Sequence, residues 1–353
     1  MQWMLYGANG YTGELIAREA VRRGQKPILA GRNPAAISRL ARELACPSRS
    51  FPLDNHQTIV NALQGLALVL HCAGPFVDTS APMVAACLQA GVHYLDITGE
   101  ISVFESIFAR DAEAKERGVT LLPGVGFDVV PTDCLAAMLA RRLPSAHELV
   151  LAFSSPGAEL SRGTVKTMIE GIGQGGAIRR DGKIVRVPVA FDAREIPFAS
   201  GQRMAMTIPW GDVSTAFRTT GIPNIRVYSA ASPKSIANAR RIRSFLPLAA
   251  WKPIRRLLQA FAAPRTGPSE ARRKTGKMNL WGRVSDKSGS EAIMTMTTPE
   301  GYAFTVLSAL AAVEQVLASK PSPGSLTPAL CFGPEFVTTI AGVVVDPISK
   351  ASR

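Results

Sequence analysis

Near its amino terminus the chain reads Tyr6-Gly7-Ala8-Asn9-Gly10-Tyr11-Thr12-Gly13. This stretch follows a short apolar run with strand character, Trp3 to Tyr6, and it opens a helical pattern. Glycine permits a tight turn and a close approach of the backbone to a pyrophosphate, whose charge then lies against the N–H groups of a helix terminus. A strand, a glycine turn and a helix in this order predict a dinucleotide site, and the alternative is a plain glycine-rich turn.

The same alternation of apolar runs and helical patterns continues through the first third of the chain, as βαβ units do. We therefore predict an α/β protein whose first domain, residues 1–132, is a Rossmann domain with a doubly wound parallel sheet. The rhythm then changes to strands of a mixed, largely antiparallel sheet, which predicts a second α/β domain over residues 133–301. The segment 302–353 begins with an apolar helix pattern, and we expect it to return to the first domain.

Composition and cysteine usage exclude several classes of protein. Hydrophobic residues are 46% and charged residues 19% of the 353, and no stretch approaches the roughly 20 uninterrupted apolar residues of a membrane span. The cofactor motif follows Met1 so closely that we expect no signal peptide and a cytoplasmic protein. Five scattered cysteines without a C-x-x-C pair, and four histidines without ligand spacing, predict neither disulfides nor a metal site.

The net charge of +13 is concentrated in one segment. Residues 240–283 hold 12 Lys or Arg and one acid, so the rest of the chain is nearly neutral. Overlapping this range, residues 233–263 form a basic segment of helical pattern. Three interpretations of this segment stay open. It is a solvated surface or dimer edge, an amphipathic stretch resting on an anionic membrane, or a docking surface for an acidic carrier protein. Nucleic acid is the least favoured partner, because no recognition motif accompanies the charge. An apolar sheet in the second domain favours a homodimer.

Cofactor choice is read after the second predicted strand, where the chain has Ala30-Gly31-Arg32-Asn33. An NAD enzyme usually places an acid there for the ribose 2′-hydroxyl, whereas the guanidinium of Arg32 suits a 2′-phosphate. We therefore predict NADP(H) over NAD(H), with a solvated loop arginine as the alternative. Asp54 follows a further short strand at a position that often borders the adenine, and the alternative is a helix N-cap.

A small-residue turn, Cys72-Ala73-Gly74-Pro75-Phe76, follows the next buried strand. It lies at the predicted carboxyl edge of the sheet, where ligands bind in open α/β folds and where the nicotinamide half is expected. Phe76 either packs on the cofactor or anchors the loop.

Further motifs are Tyr94-Leu95-Asp96-Ile97-Thr98-Gly99-Glu100 and Pro123-Gly124-Val125-Gly126-Phe127-Asp128-Val129-Val130-Pro131-Thr132-Asp133. Together with the opening glycine turn and Ala-Gly-Arg-Asn, they resemble the saccharopine dehydrogenase-like family, including its bacterial trans-acting enoyl reductase branch. The resemblance implies a Rossmann domain, a second domain with a mixed sheet, and hydride transfer with NADP(H).

The resemblance also assigns residues of the cofactor site. It implies that the diphosphate is held by Gly7, Asn9, Gly10, Tyr11, Thr12 and Gly13. It implies that Arg32 and Asn33 hold the 2′-phosphate. It implies that the nicotinamide ribose is bordered by Ala73, Gly74 and Phe76.

The proton donor is less defined. No tyrosine has a lysine four residues later, which disfavours the Tyr-x-x-x-Lys mechanism. Acids predicted at the carboxyl edge are Asp96, Glu100, Asp128 and Asp133, of which the last two are either functional or caps of the following helix. Arg162 either contacts substrate or starts a solvated helix.

Two functions from different classes follow from these residues. The favoured function is an NADP(H)-dependent oxidoreductase acting on a small or lipid-like carbonyl or enoyl substrate. The absence of an obvious dedicated acid favours an enoyl or acyl substrate, since backbone donors can polarise a bound carbonyl. The alternative is a non-catalytic NADP(H)-binding regulatory or membrane-peripheral protein.

Overall fold

The computed structural model describes residues 1–155, 159, 161–171, 175–243, 267–319 and 321–346, without the side chains at 162, 166, 167, 170 and 171. These residues fall into two compact units. The first contains Met1–Asp128 and Phe304–Phe332, and the second contains Val129–Ala303 and Gly333–Arg353.

The first unit is built on a seven-stranded sheet in which every pairing is parallel. Its strands are β1 (Trp3–Tyr6), β2 (Ile28–Gly31), β3 (Ser48–Ser50), β4 (Leu68–His71), β5 (His93–Asp96), β6 (Thr120–Leu122) and β15 (Gly324–Ser325). Their order is β15-β6-β5-β4-β1-β2-β3, so the chain reverses its direction of winding between β1 and β4. Open sheets of this kind bind ligands at the carboxyl ends of the strands beside such a switch point. The apolar composition of β1, β2 and β4 follows from their burial, because helices cover both faces of a parallel sheet.

Crossover helices connect these strands. They are α1 (Tyr11–Arg22), α2 (Pro34–Leu44), α3 (His56–Leu63), α4 (Phe76–Ala90), α5 (Ile101–Phe108) and α6 (Asp111–Glu116), and a further helix of this unit, α13 (Pro328–Phe332), follows β15. Each long helix buries one apolar stripe; in α2 the buried residues Ile37, Leu40 and Ala41 recur at the three- and four-residue spacing of one helix face. Gly91, with a φ of 69°, ends α4 in the left-handed conformation that glycine adopts without strain.

Helix α12 (Gly301–Ser319) contributes to the core of the first unit from Phe304 onward. Its Ser308 hydroxyl donates to the Val125 carbonyl at 2.7 Å, and its Thr305 hydroxyl accepts the Phe127 N–H at 3.0 Å. The sequence predicts an apolar helix from residue 302, but it does not predict that this helix is as long and apolar as a membrane span. Among the described residues, α12 alone is long and apolar enough to cross a membrane, with a mean hydropathy of 1.4, and half of that stretch is buried within the protein.

The second unit contains a nine-stranded sheet. Its strands are β7 (Glu148–Ser154), β8 (Gly176–Arg180), β9 (Lys183–Val187), β10 (Ala193–Phe198), β11 (Gly201–Thr207), β12 (Asn224–Ala230), β13 (Lys277–Ser285), β14 (Glu291–Pro299) and β16 (Val344–Val345). The main path is β10-β11-β12-β7-β13-β14-β16, and β8 joins β12 to β9. Among the described strands of this sheet, only the β7–β12 pair is parallel, which makes the sheet mixed and largely antiparallel.

Several helices of the second unit alternate with these strands along the chain. They are α7 (Val130–Arg142), α8 (Arg162–Gly171), α9 (Asp212–Thr220), α10 (Pro233–Ile242), α11 (Glu270–Thr275) and a 3₁₀ helix (Pro334–Thr339). Helix α7 packs directly on β13, where Gly282 makes room for it. A Cβ atom at Gly282 would lie 2.7 Å from Leu139 Cδ1 and 3.1 Å from Leu135 Cδ2.

The structure confirms the predicted fold class, with a doubly wound parallel sheet followed by a mixed one. The expected return of residues 302–353 to the first domain is wrong for its last part. Only Phe304–Phe332 belongs to the first unit, whereas β16 pairs with β14 through Val344 and Val345. The physical reason is that this short apolar segment completes an open edge of the second sheet.

Candidate functional site

The glycine turn between β1 and α1 is packed against its neighbours without space for side chains. Gly7 has a φ of 84°, which favours glycine, and its N–H donates to the Ala30 carbonyl at 2.8 Å. A Cβ atom at Gly7 would lie 2.7 Å from the Ala73 nitrogen, and a Cβ atom at Gly13 would collide with the Gly7 carbonyl. The turn therefore requires glycine at both positions to bring β1, α1 and the turn after β4 together.

The amino terminus of α1 is open toward the carboxyl edge of the sheet. Gly10 precedes the helix in an extended conformation and supplies no side-chain cap, while Asn9 is exposed and Thr12 is half-buried. The first N–H groups of a helix lack intrahelical partners, and with the helix dipole they favour an anion. This uncapped terminus fits the diphosphate of a dinucleotide, as the sequence predicts.

Arg32 follows β2 directly. Its side chain is exposed and makes no ion pair or hydrogen bond within the described part of the chain. The neighbouring Asn33 is engaged, because its Oδ1 accepts the Ala36 N–H at 3.1 Å and caps α2. Asn9 lies at the same edge, since a Cβ atom at Gly31 would be 3.0 Å from Asn9 Oδ1. The structure thus brings the residues predicted to bind the diphosphate and the 2′-phosphate to one edge of the sheet. Among them, Arg32 has a charged side chain without a partner in the described residues.

Tyr6 links this edge to Asp54. The Tyr6 hydroxyl donates to the Phe51 carbonyl at 2.9 Å, and burial raises the pKa of Tyr6 to about 12. Arg32 lowers and Asp54 raises this pKa, so both charges lie near the hydroxyl. The alternative that Asp54 caps a helix is wrong, because α3 is capped by Asn55, which accepts the Thr58 N–H at 2.9 Å. Asp54 is exposed beside the end of β3, which leaves the adenine position as its prediction.

The turn after β4 brings small residues to the same edge. Ala73 is half-buried and Gly74 is exposed, while Phe76 is the first residue of α4 and is only 7% exposed. The Phe76 ring meets the His71 ring edge-on with centroids 5.4 Å apart. This burial favours the interpretation of Phe76 as a loop anchor, with Ala73 and Gly74 left to border a nicotinamide.

Asp96 ends β5 and holds two loops through its buried carboxylate. It accepts the N–H groups of Thr98 at 3.0 Å and Gly124 at 2.9 Å, and the Tyr94 hydroxyl at 2.8 Å. Burial raises the pKa of Asp96 to about 6, opposed by these hydrogen bonds. The hydrogen bonds of this carboxylate therefore hold the loops that follow β5 and β6 in place.

The two candidate acids around α7 have different environments. Asp128 is half-buried, and burial raises its pKa to about 7. Asp133 is fully buried inside α7, where the Thr219 hydroxyl donates to its Oδ1 at 2.5 Å. The capping interpretation is wrong for both, because Val129 occupies the cap position and no side chain caps this helix. Asp133 connects α7 to α9 within the second unit, which favours a role in folding.

Arg162 is the first residue of α8, and its side chain lies outside the described residues. Sequence reasoning missed the hydroxyl cluster beside it. The Tyr302 hydroxyl accepts the Ser161 N–H at 2.7 Å and is 2.7 Å from the Thr164 hydroxyl. No local sequence pattern predicts this cluster, because Tyr302 is distant in sequence from Ser161 and Thr164. The contact between Gly99 and Asp128 is likewise not predictable from local sequence, because the two residues lie in different loops.

Within the described residues, no group of three or more His, Cys, Asp or Glu side chains could hold a metal ion. Helix α10 begins the basic segment 233–263, but residues 244–263 lie outside the described part of the chain. The membrane, carrier and dimer interpretations of this segment stay predictions, as does a cytoplasmic location.

The fold and the glycine turn define the class: the first unit is a Rossmann domain with the open helix terminus of a dinucleotide site. Comparison with known proteins narrows this class. Residues 3–122 match the family model described as the saccharopine dehydrogenase NADP binding domain, so this segment carries the domain of that family and its match supports a nicotinamide cofactor.

Relatives in sequence are named as an oxidoreductase and a reductase. A saccharopine dehydrogenase-like oxidoreductase of Mus musculus is 28% identical over 203 residues, which are 50% of this chain and 47% of the relative. A trans-acting enoyl reductase of Mycobacterium bovis is 33% identical over 147 residues, which are 39% of this chain and 35% of the relative. The predicted resemblance to saccharopine dehydrogenase-like oxidoreductases is confirmed, over matches that span less than half the length of these relatives.

A solved structure extends the likeness of fold to the whole chain. The apo form of saccharopine dehydrogenase (L-Glu forming) from Saccharomyces cerevisiae aligns with a TM-score of 0.67 over 99% of both chains, at 11% identity. At this identity the likeness concerns the fold alone. It places the mixed sheet of the second unit, as well as the Rossmann sheet, in the architecture of that enzyme.

Proposed function

We propose that this chain is an NADP(H)-dependent oxidoreductase that transfers hydride to a carbonyl or enoyl group of a small or lipid-like substrate. The observation that carries the proposal is Arg32, an exposed guanidinium without a partner in the described residues, at the end of β2 beside the glycine turn. The relatives' names supply the reaction type, since both are called oxidoreductase or reductase.

Arg32 carries the proposed preference for the 2′-phosphate. A guanidinium offers several donors in a fixed fork and a permanent charge, which suits a phosphate and gives nothing comparable to a 2′-hydroxyl. No carboxylate stands directly after β2, where an NAD enzyme usually binds the ribose hydroxyls, because positions 32 and 33 are arginine and asparagine. Asp54 is displaced to the end of β3 and is proposed to border the adenine.

The other residues of the site are proposed to hold and orient the dinucleotide. The open amino terminus of α1 binds the diphosphate between Gly10 and Thr12, which fixes the direction of the dinucleotide across the switch point. The nicotinamide half then extends toward Ala73 and Gly74, after β4. When bound, the nicotinamide supplies the hydride, and the protein supplies position and electrostatics.

The alternative of a nucleotide-binding regulator without turnover is not favoured, because the relatives in sequence are named oxidoreductase and enoyl reductase. The two functions differ in one measurement. An enzyme consumes NADPH when a suitable acceptor is present, whereas a regulator binds it and consumes none.

The experiment that tests the cofactor site is a titration with NADPH and with NADH, followed by intrinsic fluorescence, on the wild type, Arg32→Ala and Arg39→Ala. Arg39 is an exposed arginine on α2 and serves as the matched control. A charge-assisted hydrogen bond is worth about 1.5–3 kcal/mol, so Arg32→Ala is expected to weaken NADPH binding roughly tenfold or more. NADH binding should change little, and Arg39→Ala should bind both like the wild type.

Either of two results would overturn the proposal. If neither nucleotide binds to the wild type, the glycine turn is only a structural element. If Arg32→Ala and Arg39→Ala weaken NADPH binding equally, the preference arises from general charge and not from this position. With binding established, crotonyl-coenzyme A and acetoacetyl-coenzyme A are the first acceptors to test for NADPH consumption.

A further inference from the structure

Four acids lie at or after the carboxyl ends of β5 and β6, and three are committed to internal hydrogen bonds. Asp96 accepts three, from two loop N–H groups and the Tyr94 hydroxyl. Glu100 accepts two, from the first N–H groups of α4. Asp133 accepts the Thr219 hydroxyl inside the second unit. Asp128 has no hydrogen-bond partner among the described residues. Its carboxyl group is half-buried and therefore partly shielded from water.

The position of this carboxyl group is defined by Gly99. A Cβ atom at Gly99 would lie 2.6 Å from Asp128 Oδ2 and 3.0 Å from both Asp128 Cβ and Cγ. Real Cβ atoms do not approach this closely, so the Asp128 side chain occupies the space that any other residue at position 99 would fill. The loop after β5 is therefore shaped around the Asp128 carboxyl group.

The same loop connects Asp128 to the edge where the nicotinamide is proposed to lie. Glu100, the neighbour of Gly99, accepts the Phe76 N–H at 2.8 Å and the Val77 N–H at 2.9 Å. Gly74, which is exposed, stands two residues before Phe76. The Asp128 carboxyl group thus packs on a loop that directly holds the turn after β4.

The backbone next to Asp128 is strained. Val129 has a φ of 140°, a conformation that a β-branched residue rarely adopts and that costs on the order of 1–3 kcal/mol. Such outliers persist where the surrounding structure demands them, and they cluster at functional sites. The surrounding structure therefore holds the main chain in a defined conformation directly after Asp128.

We propose that Asp128 is the proton donor of the reduction; this inference rests on the proposed function. The acceptor's double bond gains a hydride at one atom from the reduced nicotinamide, and the electron pair of its π bond moves to the other end. That end takes the proton of the Asp128 carboxyl group, which becomes a carboxylate and recovers a proton from water. The products are the reduced compound and NADP⁺, so atoms and charge balance.

The protonation state of Asp128 agrees with this role. Burial raises its pKa to about 7, and a general acid works best when its pKa lies near the working pH. The acids on either side of Gly99 in the loop that packs on it, Asp96 and Glu100, both accept backbone N–H groups. Desolvation is the cause of the shift, so a proton is present on a large fraction of the molecules at neutral pH.

The test is a ¹³C NMR titration of protein labelled at the aspartate carboxyl carbons, on the wild type, Asp128→Asn and Gly99→Ala. In the wild type one carboxyl signal is expected to titrate with a midpoint near 7, and it should be missing from Asp128→Asn. Adding NADPH should move this signal, whereas 2′-phospho-ADP-ribose, which lacks the nicotinamide, should leave it in place. In Gly99→Ala the displaced carboxyl group meets more water, and its midpoint should fall toward the ordinary value near 4.

A turnover measurement completes the test, with crotonyl-coenzyme A and acetoacetyl-coenzyme A as acceptors. Asp128→Asn should bind NADPH within about twofold of the wild type and lose roughly 100-fold or more in kcat, since general acid catalysis contributes about 10²–10⁴. The wild-type rate should fall above pH 7, and the variant should lose this limb. Asp78→Asn, which removes an exposed acid of the first turn of α4, is the control and should behave as the wild type.

The outcomes separate this inference from the function on which it rests. A midpoint near 4, equal effects of NADPH and 2′-phospho-ADP-ribose, or a wild-type rate in Asp128→Asn would each overturn Asp128 as the donor while leaving an NADPH-dependent reductase intact. Absence of NADPH binding to the wild type would instead overturn the reductase and the donor with it.

Discussion

Glu100 holds the amino terminus of helix α4 through Phe76. One carboxylate oxygen accepts the Phe76 N–H at 2.8 Å, and the other accepts the next N–H, that of Val77, at 2.9 Å. A negatively charged carboxylate at a helix amino terminus is favoured by the dipole and accepts N–H groups that have no intrahelical partner. A residue 24 positions away thus replaces the local cap that Pro75 cannot provide.

This bidentate contact predicts the effect of Glu100→Gln. The variant keeps one acceptor oxygen, loses the charge and leaves one N–H of α4 without its partner, which costs about 1–2 kcal/mol. The midpoint of thermal unfolding should fall by about 2–8 °C for a unit of this size. Glu116→Gln, on an exposed glutamate at the end of α6, should leave the midpoint nearly unchanged. Equal midpoints for both variants would show that the contact does not stabilise α4.

The Glu100 contact also shows where sequence reasoning ends. Apolar runs and glycine turns predicted the parallel sheet and the nucleotide edge, because burial on both faces and tight turns constrain residue types locally. The partners of Glu100 and Gly99 were not predictable, because they depend on how the loops after β4, β5 and β6 meet at one edge. Likewise, the helical pattern from Phe104 to Glu116 predicts one helix. The structure ends α5 at Phe108 and starts α6 at Asp111, a break that no glycine or proline signals.

Gly7→Ala is expected to disturb both the fold and the cofactor site. The alanine would have to adopt a positive φ of 84°, and its Cβ atom would lie 2.7 Å from the Ala73 nitrogen. Backbone strain therefore adds to a collision with the backbone of Ala73. Gly65→Ala is the matched control, because its φ is 77° but no atom lies within 4 Å of its Cβ position. We expect a loss of about 1 kcal/mol for Gly65→Ala, and several times that with lost NADPH binding for Gly7→Ala. Calorimetry and fluorescence titration measure these quantities, and similar losses in both variants would contradict the packing argument.

Asp128→Asn should change stability in a direction that depends on pH. The folded-state pKa of Asp128 is about 7, above the ordinary value of 3.8, so folding favours the protonated form. The stability that this group contributes is complete below about pH 4 and is lost as the pH rises through 7. Relative to the wild type, Asp128→Asn should therefore unfold at a higher temperature at pH 8 and at a similar temperature at pH 4.5. A variant that is less stable at both pH values would show that the carboxylate is stabilised by contacts the desolvation argument omits.

Asp133 is expected to act in folding and not in catalysis. Its buried carboxylate accepts a hydrogen bond from the Thr219 hydroxyl, and this bond connects α7 to α9. In a double-mutant cycle, Asp133→Asn and Thr219→Val should each lower the free energy of unfolding, with a coupling of about 0.5–3 kcal/mol. NADPH affinity of Asp133→Asn should stay within about twofold of the wild type, as measured by fluorescence. A stable variant that has lost turnover would instead return Asp133 to the catalytic candidates.

His71 predicts sensitivity of the first unit to acid. Its Nε2 is 3.0 Å from the Thr79 hydroxyl, which itself donates its proton to the carbonyl of Ala73 at 2.7 Å or of Pro75 at 3.0 Å. Nε2 must therefore donate, so the neutral ring carries its proton there, and Nδ1 is buried without a partner among the described residues.

Protonating Nδ1 would place a charge in this core, and burial lowers the pKa of His71 to about 3. The unfolded chain binds this proton near pH 6.5, so the contribution of His71 to stability is complete above that pH and is lost as the pH falls toward 3, at about 1.4 kcal/mol per pH unit. His71→Phe keeps a ring among Tyr6, Phe76 and Tyr94 and removes the titration. Its thermal midpoint should fall less between pH 6.5 and 4.5 than that of the wild type, measured by circular dichroism. Parallel declines in the two proteins would assign the acid sensitivity to other groups.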